Sequence, residues 1–311
     1  MTLYTHAESN IRKTWLLMVC FLIFIIALGW LFSYLLDDSV FLLIAVILAV
    51  SQSFFSYWYS DKIVLAMTRA KPVEKRDNPE LYRIVENLCI TAGLPLPKIY
   101  IIQEPQPNAF ATGRDKNHAV VAVTRGLLEK LERAELEGVI SHELSHIGNK
   151  DMLLQTAVVI LVGVVAMLSN FFLRISFLAP YRAGGSGAGW GGGRRRSSRD
   201  SSGAILAILG ILAAVLAPIA AILIQLAISR KREFLADADG ALLTRYPEGL
   251  ARALEKIASD SNSMKIANTS TAHLFIASPF RGEQAASWFT KLFMTHPPVQ
   301  ERIKALRQMS V

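Results

Sequence analysis

Ser141-His142-Glu143-Leu144-Ser145-His146-Ile147-Gly148-Asn149-Lys150-Asp151 runs directly into Met152-Leu153-Leu154-Gln155-Thr156-Ala157-Val158-Val159-Ile160-Leu161, and the two halves of this stretch suit different solvents. In the first half, two histidines four residues apart stand one turn apart on one helical face, so their imidazoles can converge on a single ion. Glu143 sits beside the first histidine, placed to reach a water at that ion without ligating it. Leu136, Ile140, Leu144 and Ile147 form an apolar stripe that packs such a helix against a fold. The second half opens an apolar segment, Met152 to about Leu173, long enough to cross a hydrocarbon core.

Three more apolar segments accompany it. Thr14–Leu36 carries no charge, Val40–Trp58 follows after a short acidic turn at Asp37 and Asp38, and a last one runs from Ala204 to Ile228. The composition agrees: 52% of the 311 residues are hydrophobic and 19% charged, with a mean hydropathy of +0.35. That is the balance of a chain with several membrane spans beside a water-facing part. The run at 14–36 is too long for a cleaved secretion signal. Arg12 and Lys13 before the first segment, and Lys62, Arg69, Lys71 and Lys75 after the second, put both flanks on the cytoplasmic side by the positive-inside rule. The net charge of +8 therefore reads as membrane topology, not as a nucleic-acid footprint. Tyr181–Gly203, rich in Gly, Ser and Arg and holding Arg194, Arg195 and Arg196, reads as a mobile loop. It has no aromatic interleaving for base stacking. If the third and fourth segments both span, this basic loop lies outside against the charge rule; either the pair does not fully cross or the loop escapes the rule. Cys20 and Cys89 imply no disulfide framework.

The chain thus divides into an N-terminal hairpin (1–60), a first water-facing block (61–151), a second hairpin (152–228) around the 181–203 loop, and a second block (229–311). In the first block Asp77-Asn78-Pro79-Glu80 starts a helix that Gly93 ends. Lys98–Gln103 and Asn117–Thr124 read as strands, with Ala109–Gly113 a weaker strand between them. Helices follow at Arg125–Leu131 and Arg133–Ile147, and the second block is mostly helical.

A catalytic zinc needs a third protein ligand and an open position. Downstream lie His273, His296 and several acids, and Glu233 is selected by two features. Glu233 and Asp237 are four apart, so one can ligate while the other accepts a hydrogen bond from a ligating histidine. His146 lies just before the third apolar segment and Glu233 just after the fourth, so both sit within about 10 Å of the bilayer surface, on the same side.

With these motifs the sequence resembles the HtpX family of heat-shock membrane proteases and, more distantly, the integral-membrane CAAX prenyl proteases. The likeness covers essentially the whole chain: the span pairs, His142-Glu143-x-x-His146, Glu233-x-x-x-Asp237, Asn108-Ala109-Phe110-Ala111-Thr112-Gly113, and His296-Pro297-Pro298-Val299-Gln300-Glu301-Arg302. It implies a mostly α membrane protein, four hydrophobic helices with a zincin-like α+β catalytic domain carrying a small sheet. It further implies one Zn2+ per chain on His142, His146 and Glu233, with Glu143 as catalytic base, Asp237 orienting a ligand, and His296 and Arg302 lining the site. Asn108–Gly113 is the expected edge strand for an extended substrate, with the Ala111 N–H pairing to it and small side chains letting it approach. The implied role is bacterial inner-membrane quality control and stress response, with unfolded or membrane proteins as substrates, the lipid bilayer as host, other membrane proteases as possible partners and the active site facing the cytoplasm. The competing readings are a CAAX-type prenyl protease, which four short spans disfavour, and a non-catalytic membrane zinc-binding chaperone or carrier. A carrier would place ligands inside the spans and would have no use for Glu143.

Overall fold

The computed structural model describes residues 3–183, 219, 222–223, 230–266, 268, 270–281 and 297–309. Most of the fourth apolar segment, residues 184–203 of the basic loop and His296 lie outside the described residues.

Helix α1 (Leu3–Leu36) and helix α2 (Val40–Trp58) form the N-terminal hairpin. Asp37 takes a left-handed φ of 49° in the turn, and Asp38 Oδ1 accepts the Val40 N–H at 2.9 Å. Gly29 lies so close to α2 that a Cβ there would stand 2.1 Å from that of Ala45, the kind of small-residue contact by which membrane helices approach. Leu16, Ile23, Leu43 and Ile47 are all more than half exposed along this hairpin. Such a surface is far larger than a water-soluble monomer tolerates, and it suits lipid. Aromatic pairs mark both ends: Trp15 tilted against Tyr57 (5.6 Å) and Trp30 stacked on Tyr34 (6.1 Å), about 25 Å apart along α1. Among the described residues three helical stretches are long and apolar enough to span: Ser9–Tyr34, Val40–Trp58 and Asp151–Asn170. The last belongs to α7 (Asp151–Ala183) and is the most enclosed, 61% of its apolar window being buried against 22% and 11% for the others.

Between hairpin and α7 the chain builds a small α/β unit. Helix α3 (Ser60–Met67) leads to β1 (Lys71–Pro72), then α4 (Pro79–Ala92), β2 (Lys98–Ile102), β3 (Ala109–Thr112), β4 (Val120–Thr124), α5 (Arg125–Lys130) and α6 (Arg133–Gly148). The Asn78 side chain caps α4 by accepting the Leu81 N–H, and Gly93 closes it in the left-handed region, as their residue types predict. The sheet order is β1-β2-β4-β3, with β2 and β4 parallel (Lys98↔Val120) and β3 antiparallel to β4 (Ala109↔Val123). Strand β1 and helix α3 are additions to the sequence reading; a two-residue strand containing Pro72 carries no periodic signal, and its edge position is where proline is tolerated. After α7 come α8 (Arg230–Thr244), α9 (Pro247–Ser259) and α10 (Val299–Arg307).

One core joins α4, α6, α9, α10 and one face of the sheet through residues such as Leu81, Ile84, Val121, Ile140, Leu144, Leu254 and Leu306. The opposite face closes over Phe110, Phe275, Val64 and Val159. Helix α6 is gripped from the α9 side because glycines remove the spacing a side chain would impose. A Cβ on Gly138 would stand 2.7 Å from the Leu250 backbone N, and one on Gly249 2.7 Å from the Ala134 carbonyl oxygen. Gly138→Ala should therefore lower the thermal unfolding temperature in detergent, by about 1–3 kcal/mol of overpacking, even though alanine is the better helix former by about 1 kcal/mol. A raised unfolding temperature would show that the α6–α9 contact yields freely.

Candidate active site

The site is assembled by helices whose ends are individually fixed. Glu135 accepts the Glu132 N–H at 2.8 Å and so starts α6, while Lys256 of α9 covers the same carboxylate at 2.7 Å. At the far end Lys150 adopts φ 56°, which breaks α6 from α7 and turns the chain so that Asp151 comes back against His146. From the other side α8 lies on α6 at Gly240, where a Cβ would stand 3.0 Å from the His142 backbone N. One and two turns earlier on α8, Asp237 and Glu233 then face the two histidines.

The resulting geometry is that of a metal centre. His142 Nε2 and His146 Nε2 are 3.2 Å apart, and the Glu233 carboxylate oxygens lie 3.8 Å and 3.7 Å from them. One donor atom from each residue falls within 4.8 Å of the others. Donors at about 2.0–2.1 Å around one tetrahedral zinc stand roughly 3.3 Å apart, so the three atoms need only small adjustments. Both imidazoles also have their other nitrogen held by a carboxylate: His142 Nδ1 by Asp237 (2.9 Å) and His146 Nδ1 by Asp151 (3.0 Å). That leaves each Nε2 as the inward donor, the arrangement that metal-ligating histidines use.

The charge balance points the same way. Among the described residues four buried carboxylates (Glu143, Asp151, Glu233, Asp237) face two buried guanidiniums (Arg232, Arg302), an excess of two negative charges that a dication would neutralise. Without a metal, protons respond to this excess. Burial pushes the Glu143 carboxyl up to about 7, Glu233 adding to it against the pull of His146 and Arg302. Burial works against a proton on His146, but Asp151, Glu233 and Glu143 outweigh it and raise that imidazole to about 9. Burial, Arg302 and His146 lower His142 against the opposing pull of Asp237. Burial alone would raise Asp237, yet the adjoining Arg302 brings it to about 2.

Arg302 is completely buried and reaches the site from α10. Its Nε and Nη2 grip the Asp237 carboxylate at 2.8 and 2.7 Å, and Nη1 donates to the Ile276 carbonyl at 2.9 Å. With a separation of 3.7 Å to Glu233, it is placed to hold the carboxylates in position, and its described contacts are all internal to the protein. The Ala111 N–H faces the Glu143 carboxylate and favours its charged form. Strand β3 is the sheet edge, as its sequence position suggests, but its donors are partly engaged. Thr124 N–H donates to the Asn108 carbonyl, which by antiparallel alternation turns the backbone of Ala109 and Ala111 toward the open side. There the Ala109 carbonyl receives the Ile276 N–H, while the Ala111 N–H faces the side of Glu143. The small side chains of Ala109 and Ala111 are buried in the core that holds α6, so their size serves the approach of the histidine helix. Phe110 packs edge-on to Phe275, Thr112 bonds Thr156 at 2.9 Å, and the Asn108 amide donates to the Ala277 carbonyl. Gly113 takes φ 140°, with a Cβ position 2.4 Å from the His118 carbonyl oxygen.

Comparison with known proteins agrees with this geometry. Residues 75–310 match Peptidase family M48. This chain belongs to that family. It is 43% identical, over 100% of its own length and 99% of the relative's, to "Protease HtpX homolog" of Caldanaerobacter subterraneus subsp. tengcongensis. The same description is carried by a relative from Syntrophobacter fumaroxidans (49% identity, 86% of this chain, 89% of the relative) and by one from Thermococcus sibiricus (48%, 95% and 96%). Among solved structures, S. mikatae Ste24p overlays at a TM-score of 0.47 and 20% identity, covering 97% of this chain and 67% of that one. The M48 chain is a membrane metalloprotease, and proteins are its substrates.

The sequence reading passed over Asp151, Arg232 and the Ile276 carbonyl. Asp151 had a readable signal, an acid five residues beyond the second histidine; Arg232 and Ile276 had none.

Two outcomes follow. A metal must displace the His146 proton, so affinity for it should fall below about pH 9, roughly tenfold per unit for one proton. Chelator competition between pH 6 and 8.5 measures this, and a flat profile contradicts it. Arg302→Leu strands Asp237 as a buried unpaired charge, and should cost about 3–5 kcal/mol of unfolding free energy; denaturant titration in detergent reads the loss.

Proposed function

We propose that this membrane metalloprotease is a zinc endopeptidase of the bacterial inner membrane, cleaving unfolded or membrane proteins in quality control and stress response, its active site facing the cytoplasm. The observation that carries the reading is the convergence of His142 Nε2, His146 Nε2 and the Glu233 carboxylate beside the buried, non-ligating Glu143. Two imidazoles and one carboxylate are the protein donor set of a catalytic zinc. The orientation is supported by the basic residues flanking the first hairpin, Arg12, Lys13, Lys62 and Arg69.

Zinc supplies Lewis-acid polarisation in such a site. Glu143 takes the proton of the attacking water and returns it to the leaving amine. A single carboxyl group serves both halves of that task, first accepting the proton and then giving it up. The Ala111 N–H keeps its carboxylate aimed. Asp237 and Asp151 hold the two imidazoles in the tautomer that presents Nε2, and Arg302 clamps Asp237. His296 is our candidate for the group that stabilises the developing oxyanion. The edge at Asn108–Gly113 is the proposed substrate groove: the Ala111 carbonyl is its outward-facing acceptor, and main-chain pairing there calls for an extended, unfolded segment.

Glu143→Ala should retain one zinc per chain and lose at least about a hundredfold of its cleavage of an unfolded protein. Normal cleavage by that variant would remove Glu143 from the chemistry; loss of the zinc with the activity would make it a ligand instead.

A further inference from the structure

We propose that Asn10, at the start of the first membrane-spanning helix, is a positioning residue for the metal ligand His146 and acts on it through Asp151. The inference rests on the metal reading above and concerns residues that reading does not use.

Asn10 is 139 positions from Asn149, yet its side chain is only 4% exposed and enters the ligand shell from the membrane side. Its amide Nδ2 donates to Asp151 Oδ1 at 2.6 Å and to the Asn149 carbonyl at 3.4 Å. Its Oδ1 accepts from Arg232 Nη1 at 3.1 Å. An amide can give to a carboxylate and take from a guanidinium at the same time; a carboxylate or an alkyl group in its place cannot. The three partners are not arbitrary. Asp151 holds His146 Nδ1 with its other oxygen at 3.0 Å. Asn149 closes the helix that carries both histidines. Arg232 immediately precedes the third ligand, Glu233.

A carboxylate held at one oxygen only can swing about its Cβ–Cγ bond, taking the imidazole with it. Held at both, it fixes the ring plane and hence the direction of the His146 Nε2 lone pair. Asn10 supplies the hydrogen bond of the second hold, with the Arg232 guanidinium at 3.7 Å from the same oxygen. It lies within the candidate span Ser9–Tyr34, where a buried polar side chain is costly unless it faces a partner inside the bundle. One turn further along, the Thr14 hydroxyl donates back to the Asn10 carbonyl at 2.9 Å. The metal centre is thereby tied to the placement of α1, an element that contributes no ligand.

The test is zinc affinity of the full chain in detergent, by chelator competition at fixed pH. Asn10→Leu should weaken zinc binding about tenfold, and Asp151→Ala about 10–100-fold. Introducing Asn10→Leu into Asp151→Ala should then cost nothing further, since both remove the same hold. Ser9→Ala, on the same turn, should match the parent chain. Asn10→Asp keeps the size and the acceptor for Arg232, removes the donor and sets a second carboxylate against Asp151, so it too should weaken zinc through loss of the hold on Asp151, and it decides the matter if Asn10→Leu does not accumulate. Unchanged affinity in Asn10→Leu or Asn10→Asp overturns the inference, as does an equal loss in the presence and absence of Asp151. A parent chain that binds no zinc is a different result: it removes the metal reading itself.

Discussion

Everything in this molecule is arranged around a shortage of positive charge in a place that water does not reach. Four carboxylates and two guanidiniums are packed between α6, α8, α10 and the start of α7. Unpaired ions in such surroundings cost several kcal/mol each. The protein tolerates them because every one is aimed. Two carboxylates support imidazoles, one faces the same two rings from a third helix, and one, Glu143, is kept by burial at the border between its charged and neutral forms. The centre is stable as a set and unstable in part, which is why residues so far apart in the chain must arrive together.

That demand explains the details of packing. The approach of α8 to α6 needs Gly240, and the grip of α9 on α6 needs Gly138 and Gly249. The left-handed Lys150 makes the turn by which α7 brings its first residue, Asp151, against His146. The polar first turns of α7 fasten the two solvents' worth of structure together: Thr156 binds Thr112 of the sheet edge, and the Gln155 carbonyl meets His273. A span that enters the bilayer is thus also a strut of the catalytic unit.

Much of this was legible because it is written locally. Helical spacing put His142 and His146 on one face; the caps at Asn78 and Gly93 bounded α4; the run of uncharged residues marked the first hairpin. The Glu233–Asp237 pair could be selected because four-residue spacing and the return of a hairpin are both arithmetic. What could not be read is whatever depends on long-range approach. No periodicity distinguishes Asn10 from any polar residue ahead of a span, and nothing in Ala109 or Ala111 says whether their smallness serves a substrate or the histidine helix. The Ala111 N–H lies on the open edge of the strand, on the side of Glu143. Backbone direction at an edge strand follows from register, and register is a tertiary fact.

Arg302 comes late in the chain, and this has a consequence for how such an enzyme is made. Roughly 160 residues separate it from Glu143, which at about 5–20 residues per second is on the order of ten to thirty seconds of translation. During that interval Asp237, once made, has no clamp, and the nascent chain carries a peptidase that is not yet assembled. Among the described residues, the guanidinium that clamps Asp237 is the latest-made part of the centre, so the carboxylates must wait for it.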